Sequence, residues 1–396
     1  MNSKKVLFPI LLFVGCSAQI ASDIYSPSLP AIAVDLNTSI SHAQFSMAIY
    51  MLGLAISQLF YGPLSEGLGR KTPLIVGLSI LLFGNLISLF APTISILILG
   101  RLIQGCGAGA CSALWRSIFR DTFEGAELAK YGAYFSIFVT FIVPATPALG
   151  GYLQEYFNWR ASFMFLAIYC LCTIAMVLMW LKETSLHHHL ERLKSKFIIT
   201  SFKHIVSSPV FMGYTLCTFL CYGAFFSWFA AGPVLLIDVV GISPIEFGWI
   251  TLLGGGIATA FGGWINGRLV AKLGTHNMLR TGFIIMLIAG TLLLIGKYLF
   301  GINTLVIVSP MIFFYFGVTF IWPSAFAGAF GPFGKMAGYA GALYGFMQIS
   351  GAAAIGTIVS YLPHQNQIPL AWVFIVSSIL AWIVFEKIVR KNETKI

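Results

Sequence analysis

The chain has 396 residues, 58% of them apolar and only 9% charged, with a mean hydropathy of +0.89. Soluble globular domains carry about 25% charged residues, so a water-exposed surface is excluded and a polytopic membrane protein is indicated. The net charge of +10 does not point to nucleic acid, because the basic residues gather in one set of loops.

Apolar segments of about 17–25 residues are long enough to cross the bilayer core. Twelve follow in chain order: 6–30, 43–64, 73–91, 95–116, 131–152, 161–181, 209–237, 245–267, 278–300, 304–326, 337–361 and 368–386. Lipid offers no water to open backbone groups, so each segment is expected to be a helix. If the N-terminus is inside, 20 of the 23 basic residues fall in inner loops and tails. Outer loops hold only Arg160 and Lys297, and Arg101 lies within a span. This asymmetry places both termini in the cytoplasm.

The first span carries Asp23 in the run Gln19-Ile20-Ala21-Ser22-Asp23-Ile24-Tyr25-Ser26-Pro27. An ionisable group there costs at least about 2.5–3.5 kcal/mol and normally faces protein or a water-filled path. The second span puts Tyr50, Leu54, Ser57 and Tyr61 on one face. A glycine-rich loop follows, Gly62-Pro63-Leu64-Ser65-Glu66-Gly67-Leu68-Gly69-Arg70-Lys71. Its glycines permit a tight turn, and its two basic residues hold it inside.

The fourth span contains Arg101 and, three residues on, Gln104. At 1.5 Å per residue, Asp23 lies ~25 Å along its outward-running helix, and Arg101 ~9 Å into its inward-running one. The two share the outer half at compatible depths and can pair directly or through water. One reading is a permanent structural ion pair. The other is a switch, because burial disfavours a charged carboxyl group while a guanidinium favours it. Arginine itself does not give up its proton. The fifth span contains Val143-Pro144-Ala145-Thr146-Pro147-Ala148-Leu149-Gly150-Gly151. Its prolines remove backbone donors and kink the helix, and its glycines allow a close crossing.

The longest polar interruption runs from Lys182 to Ser208 and divides six spans from six. Leu186, Leu190, Leu193 and Phe197 recur there at helical spacing among His, Arg and Lys, which reads as a basic amphipathic helix on the inner leaflet. His187, His188 and His189 read as a solvated face, and no metal site or cofactor is expected. In the second half Tyr222, Phe225, Phe226, Trp228 and Phe229 crowd the seventh span, and Tyr344 and Gln348 mark the eleventh. The halves echo each other: Gly62-x-Leu64-x4-Gly69 returns as Gly267-x-Leu269-x4-Gly274. Such repeats enclose a substrate site near the midplane. The domains are therefore an N-terminal bundle over 1–181, a linker over 182–208 and a C-terminal bundle over 209–396. The expected fold class is all-α integral membrane, twelve transmembrane helices as two pseudo-symmetric six-helix bundles. A pocket for organic molecules is mostly apolar with a few polar groups. The candidates are Gln19, Tyr25, Tyr50, Gln104, Tyr222, Phe225, Trp228, Tyr344 and Gln348. The seven cysteines all fall within spans and read as small packing residues.

The run from Asp23 through Tyr25, Pro27 and Pro30 resembles the first-helix signature of the Bcr/CflA-type multidrug exporters of the major facilitator superfamily. The loop with Gly62, Leu64, Glu66, Gly69, Arg70 and Lys71 resembles the superfamily's cytoplasmic loop motif, with Glu66 and Gly67 where Asp and Arg are usual. Leu99-Gly100-Arg101-Leu102-Ile103-Gln104-Gly105 is similar to the fourth-helix motif. Pro144, Pro147, Gly150 and Gly151 belong to a segment that resembles the fifth-helix antiporter motif, with Thr146 in place of a small residue. The resemblance implies the major facilitator fold, proton coupling through Asp23 and Arg101, and export rather than import. It implies a loop that latches the outward-open state.

The expected function is a proton-coupled secondary transporter in a bacterial inner membrane. It exports small amphiphilic organic compounds as a monomer, with protons, substrate and membrane lipid as its partners. A dedicated metabolite or siderophore exporter would share the fold. A membrane enzyme is disfavoured because no His/Asp or Cys/His arrangement lies near an interface. A receptor would not need both Asp23 and Arg101.

Overall fold

The computed structural model describes residues 4–185 and 195–393, and every regular element among them is a helix. The N-terminal half holds α1 (Lys4–Asp23), the short α2 (Leu29–Asp35), α3 (Ile40–Leu68), α4 (Lys71–Leu89), α5 (Ile94–Thr122), α6 (Gly125–Tyr156) and α7 (Trp159–Trp180). Next comes α8 (Ser195–Val206). The C-terminal half holds α9 (Pro209–Pro233), α10 (Pro244–Ile250), α11 (Gly256–Phe300), α12 (Thr304–Phe330), α13 (Ala337–Ser360), α14 (Ile368–Val384) and the short α15 (Lys391–Glu393).

Eleven helical stretches among the described residues are long and apolar enough to cross a membrane, one fewer than the twelve expected. The difference lies in Pro244–Phe300, a single stretch of 57 residues. Straight, it would measure ~85 Å against a hydrocarbon core of ~30 Å. It breaks at Gly274, whose φ of +76° suits glycine. Its two arms contain the expected spans 245–267 and 278–300. The architecture is two bundles of membrane-crossing helices. A belt of exposed apolar side chains, among them Phe60, Phe83, Phe141, Leu171, Leu292 and Ile379, faces outward as a lipid-facing surface should.

Polar loop residues start the helices. Asn158, Ser208 and Asn303 accept from the backbone N–H of Arg160, Phe211 and Val306. Ser243 and Glu246 form a reciprocal capping box at the start of α10. One end of the molecule carries Lys4, the Gly69–Lys71 turn, α8 and Glu393, and is called the basic end here. The turns near 36–39, 157–158, 241–243 and 361–367 mark the opposite end. The leucines and histidines expected on the linker helix at 186–190, and Leu193, lie outside the described residues. The described helix α8 packs on α9 and α13, with Phe202 against Tyr339 at 5.8 Å.

The halves meet along two seams. At the opposite end α6 packs on α10, and at the basic end α3 packs on α13. Side chains bridge the opposite end. The Gln44 amide donates to the Ala230 carbonyl at 2.9 Å, Ser41 Oγ lies 3.2 Å from His364 Nε2, and Trp249 Nε1 donates to Tyr152 Oη at 3.1 Å.

Candidate functional site

α1 stops at Asp23, and the chain passes through a 3-10 turn, Ser26–Ser28, before α2 begins. Pro27 and Pro30 explain the break, because neither can donate a backbone hydrogen bond to the preceding turn. The break leaves carbonyl groups in the last turn of α1 in need of donors. Arg101 supplies one: its Nη1 donates to the Ala21 carbonyl at 2.8 Å and also to Gln104 Oε1. The guanidinium lies between two rings, 4.3 Å from the centroid of Tyr25 and 4.2 Å from that of Tyr50. Each ring is pinned in turn. Tyr25 Oη is 3.0 Å from Ser46 Oγ, and Tyr50 Oη donates to the Ala18 carbonyl at 2.6 Å. Gln104 passes the network on to Asn85.

Asp23 is fully buried beside this assembly. Its carboxylate accepts from Gln19 Nε2 at 2.9 Å and from Ser22 Oγ. It makes no ion pair among the described residues. The sequence allowed a direct Asp23–Arg101 pair. In this structure Arg101 Nη1 reaches the backbone two residues before Asp23 instead, while Arg101 Nε and Nη2 are buried without a hydrogen-bond partner, so the two charges share one helix break without pairing.

The expected cavity residues divide into groups. Gln19, Tyr25, Tyr50 and Gln104 belong to the charged cluster just described. Tyr222 and Phe225 join Tyr315 and Trp322 in an aromatic group, with Phe225 at 4.9 Å from Tyr315 and 5.0 Å from Trp322. Trp228 turns away from it and stacks on Phe247 at 6.0 Å. Tyr344 packs against Phe326 and Phe330, and Gln348 is half-buried.

A cavity of about 500 Å³ lies between the halves toward the basic end, and none of those nine residues lines it. Its wall includes Gln58, Trp115, Arg116, Phe135, Phe330 and Tyr339. Of the residues singled out from the sequence, Gly62, Glu66 and Arg70 line it; the α5 face escapes the sequence reading because the fourth apolar run ends at residue 116, which puts Arg116 in a loop. The helix continues to Thr122. The signal was present: residues 112, 115, 116, 119 and 120 repeat at helical spacing and share one face.

The two remaining motifs are held by backbone geometry. Gly69 has φ +83°, and the turn it makes presents the first N–H groups of α4 to Glu183. That carboxylate accepts from Arg70 N at 2.7 Å and Lys71 N at 3.1 Å. Partial burial pushes the Glu183 carboxyl group up, and hydrogen bonds from the N–H groups of Arg70, Ser185, Lys71 and Thr184 outweigh it and hold it below the usual range. Arg70 also pairs with Asp121 at 3.1 Å and donates to Ser65 at 2.7 Å. Lys71 donates to the Leu178 carbonyl, Glu66 lies against Gly338 of α13, and Gly62 faces Ala342. Leu64 is partly exposed on the outer face of α3. In α6, after Pro144 and Pro147, the absent side chains matter most. A Cβ on Gly150 would collide with the Ile24 carbonyl, and one on Gly151 would lie 2.3 Å from the Pro244 carbonyl.

Residues 11–357 match the family model described as Major Facilitator Superfamily. The chain is 29% identical to multidrug resistance protein D of Escherichia coli (strain K12), over 91% of this chain and 90% of that one. It is 25% identical to a bicyclomycin resistance protein homolog of Haemophilus influenzae, over 96% and 97%. The xylose transporter XylE from E. coli, solved in a partially occluded inward open conformation, superimposes with a TM-score of 0.75 at 15% identity, covering 98% of each chain.

Proposed function

This chain belongs to the Major Facilitator Superfamily, and from that premise we propose that it is a proton-driven exporter of small amphiphilic organic compounds. It is a secondary transporter rather than an enzyme. The names of its relatives, a multidrug resistance protein and a bicyclomycin resistance protein homolog, support drug-like cargo. The halves 1–181 and 209–396 rock about the cluster at the end of α1, joined by the linker 182–208. The basic end faces the cytoplasm, as the loop charges favour, with both termini there and the protein in a bacterial inner membrane. Each chain encloses its own cavity, which fits a working monomer.

The observation that carries the proposal is Asp23. It is fully buried, sits where a helix breaks, and is held by two neutral donors, Gln19 and Ser22. Such a carboxyl group can be held with or without its proton. Arg101 stays charged throughout and anchors the broken end of α1 through Ala21. Losing the Asp23 proton places a second charge beside Arg101, and the pair then attracts across the break. Protonation removes that attraction. The two protonation states therefore favour different placements of α1 against α5, which is the differential interaction a coupled cycle needs. The loop residues Glu66, Gly69, Arg70 and Lys71 and the close crossing at Gly150 and Gly151 hold the alternative closures.

The test is Asp23→Asn in inverted membrane vesicles. The variant keeps the size and one acceptor oxygen but cannot carry a proton. Uptake driven by an imposed proton gradient is expected to disappear, while exchange of labelled for unlabelled substrate without a gradient continues. Gradient-driven uptake equal to that of the parent would overturn the proposal.

A further inference from the structure

The cavity at the basic end carries charge that the coupling cluster does not use. Arg116 projects from α5 and is exposed to the cavity, its guanidinium 5.1 Å from the ring of Trp115. Trp115 stacks on Phe135 with ring centroids 4.1 Å apart and carries the Arg116 guanidinium over its ring, so aromatic side chains and a cation share this part of the wall. Arg120 stands one turn further along the same face. Among the described residues neither Arg116 nor Arg120 is in an ion pair. The third arginine on the wall, Arg70, is committed to Asp121 and Ser65. The one carboxylate on the wall among the described residues, Glu66, lies against Gly338. The balance inside the cavity is therefore positive.

We infer that this cavity selects planar aromatic compounds bearing a single negative charge, with the ring among the aromatic side chains of the wall (Trp115, Phe326, Phe330, Tyr339) and the anionic group on Arg116. The inference rests on the exporter reading and narrows its cargo. A volume of about 500 Å³ suits a compound of two fused rings with a short polar substituent. A guanidinium with unused donors beside aromatic side chains offers a charge-assisted, two-pronged contact to a sulfonate or carboxylate. Two positive charges on a neighbouring molecule would meet Arg116 and Arg120 in a poorly screened space, so dications are excluded. The charge balance also has a consequence. One proton entering for each anion leaving moves two elementary charges inward, so an interior-negative potential alone drives export.

The test uses purified protein in liposomes and three probes of one shape: naphthalene-1-sulfonate, naphthalene-1-sulfonamide and the naphthalen-1-ylmethyl trimethylammonium cation. The unmodified protein is expected to transport the sulfonate with a KM about tenfold below that of the sulfonamide, and to discriminate against the cation. Arg116→Gln is expected to erase the sulfonate-to-sulfonamide ratio, and Arg116→Lys to keep most of it. Equal KM values for sulfonate and sulfonamide in the unmodified protein overturn the inference, whatever the variants do. So does a ratio that survives in Arg116→Gln. Proton-driven transport of the sulfonamide without a sulfonate preference would sink the anion selection and leave the exporter reading standing. Failure of all three probes to move under a gradient would reject both.

Discussion

Arg101 is held by both faces and one edge: the faces by Tyr25 and Tyr50, the edge by Ala21 and Gln104. A lysine keeps the charge but has no flat face to lay between two rings. Arg101→Lys is therefore expected to lose about 2 kcal/mol of stability, read as a lower thermal midpoint in detergent, and to transport poorly. Glu183 gives a pH-dependent counterpart outside the membrane. Its folded carboxyl value is depressed, so its contribution is present above the unfolded value of about 4.3 and is lost as pH falls through the folded one. Glu183→Gln is expected to speed amide exchange at Arg70 and Lys71 at neutral pH. The gap from the parent should close in acid below the depressed value. Asp23 and Arg101 stood out in the sequence because a charge inside an apolar run is costly. Their separation was not legible, because depth along two helices says nothing about which way each side chain turns. Arg116 was hidden for a related reason: hydropathy marks where the lipid ends, whereas α5 continues past it into the protein interior.

At the scale of single helices, α6 makes the sharpest claim. Gly151 lets it touch the start of α10, and a valine there would press on the Pro244 carbonyl. Overpacking of this kind costs about 1–3 kcal/mol, paid only in the state where this seam is shut. Gly151→Val is therefore expected to open the opposite end. A cysteine placed by Gln44→Cys should react about tenfold faster with an impermeant maleimide applied from that side. An unchanged rate would mean that the seam does not depend on this contact. The helices themselves were readable from apolar length, because a bilayer leaves the backbone no alternative. Their ends were not. α3 and α5 each extend several residues beyond their apolar runs, and α11 stays helical through the polar stretch 268–280, breaking only at Gly274.

For the whole molecule, the acids are unevenly shared. Asp23 is the one fully buried carboxylate among the described residues; in the C-terminal half Asp238, Glu246, Glu386 and Glu393 all sit near helix ends. On the proposed reading of Asp23 as the carrier, one proton would enter per neutral molecule exported. A reversal-potential assay with a neutral cargo is expected to return a coupling ratio near one, and a ratio of two would require a second carrier. The two-bundle plan was legible in the polar break at 182–208 and in the repeated glycine spacing. Which end would be closed was not, since both seams are written in the same small residues. The turn at Gly69 bears on how that closure changes. Arg70, Lys71, Asp121 and Glu183 fasten α4 and α5 to the segment after α7, and Ser65 adds α3. At the basic end α3, α4, α5 and the segment after α7 are thus fastened into one block. Its α3 flank is the one that meets α13. A block of this kind leaves α13 as a unit, and any small molecule wedged beside Glu66 and Gly338 would act as a brake on that step.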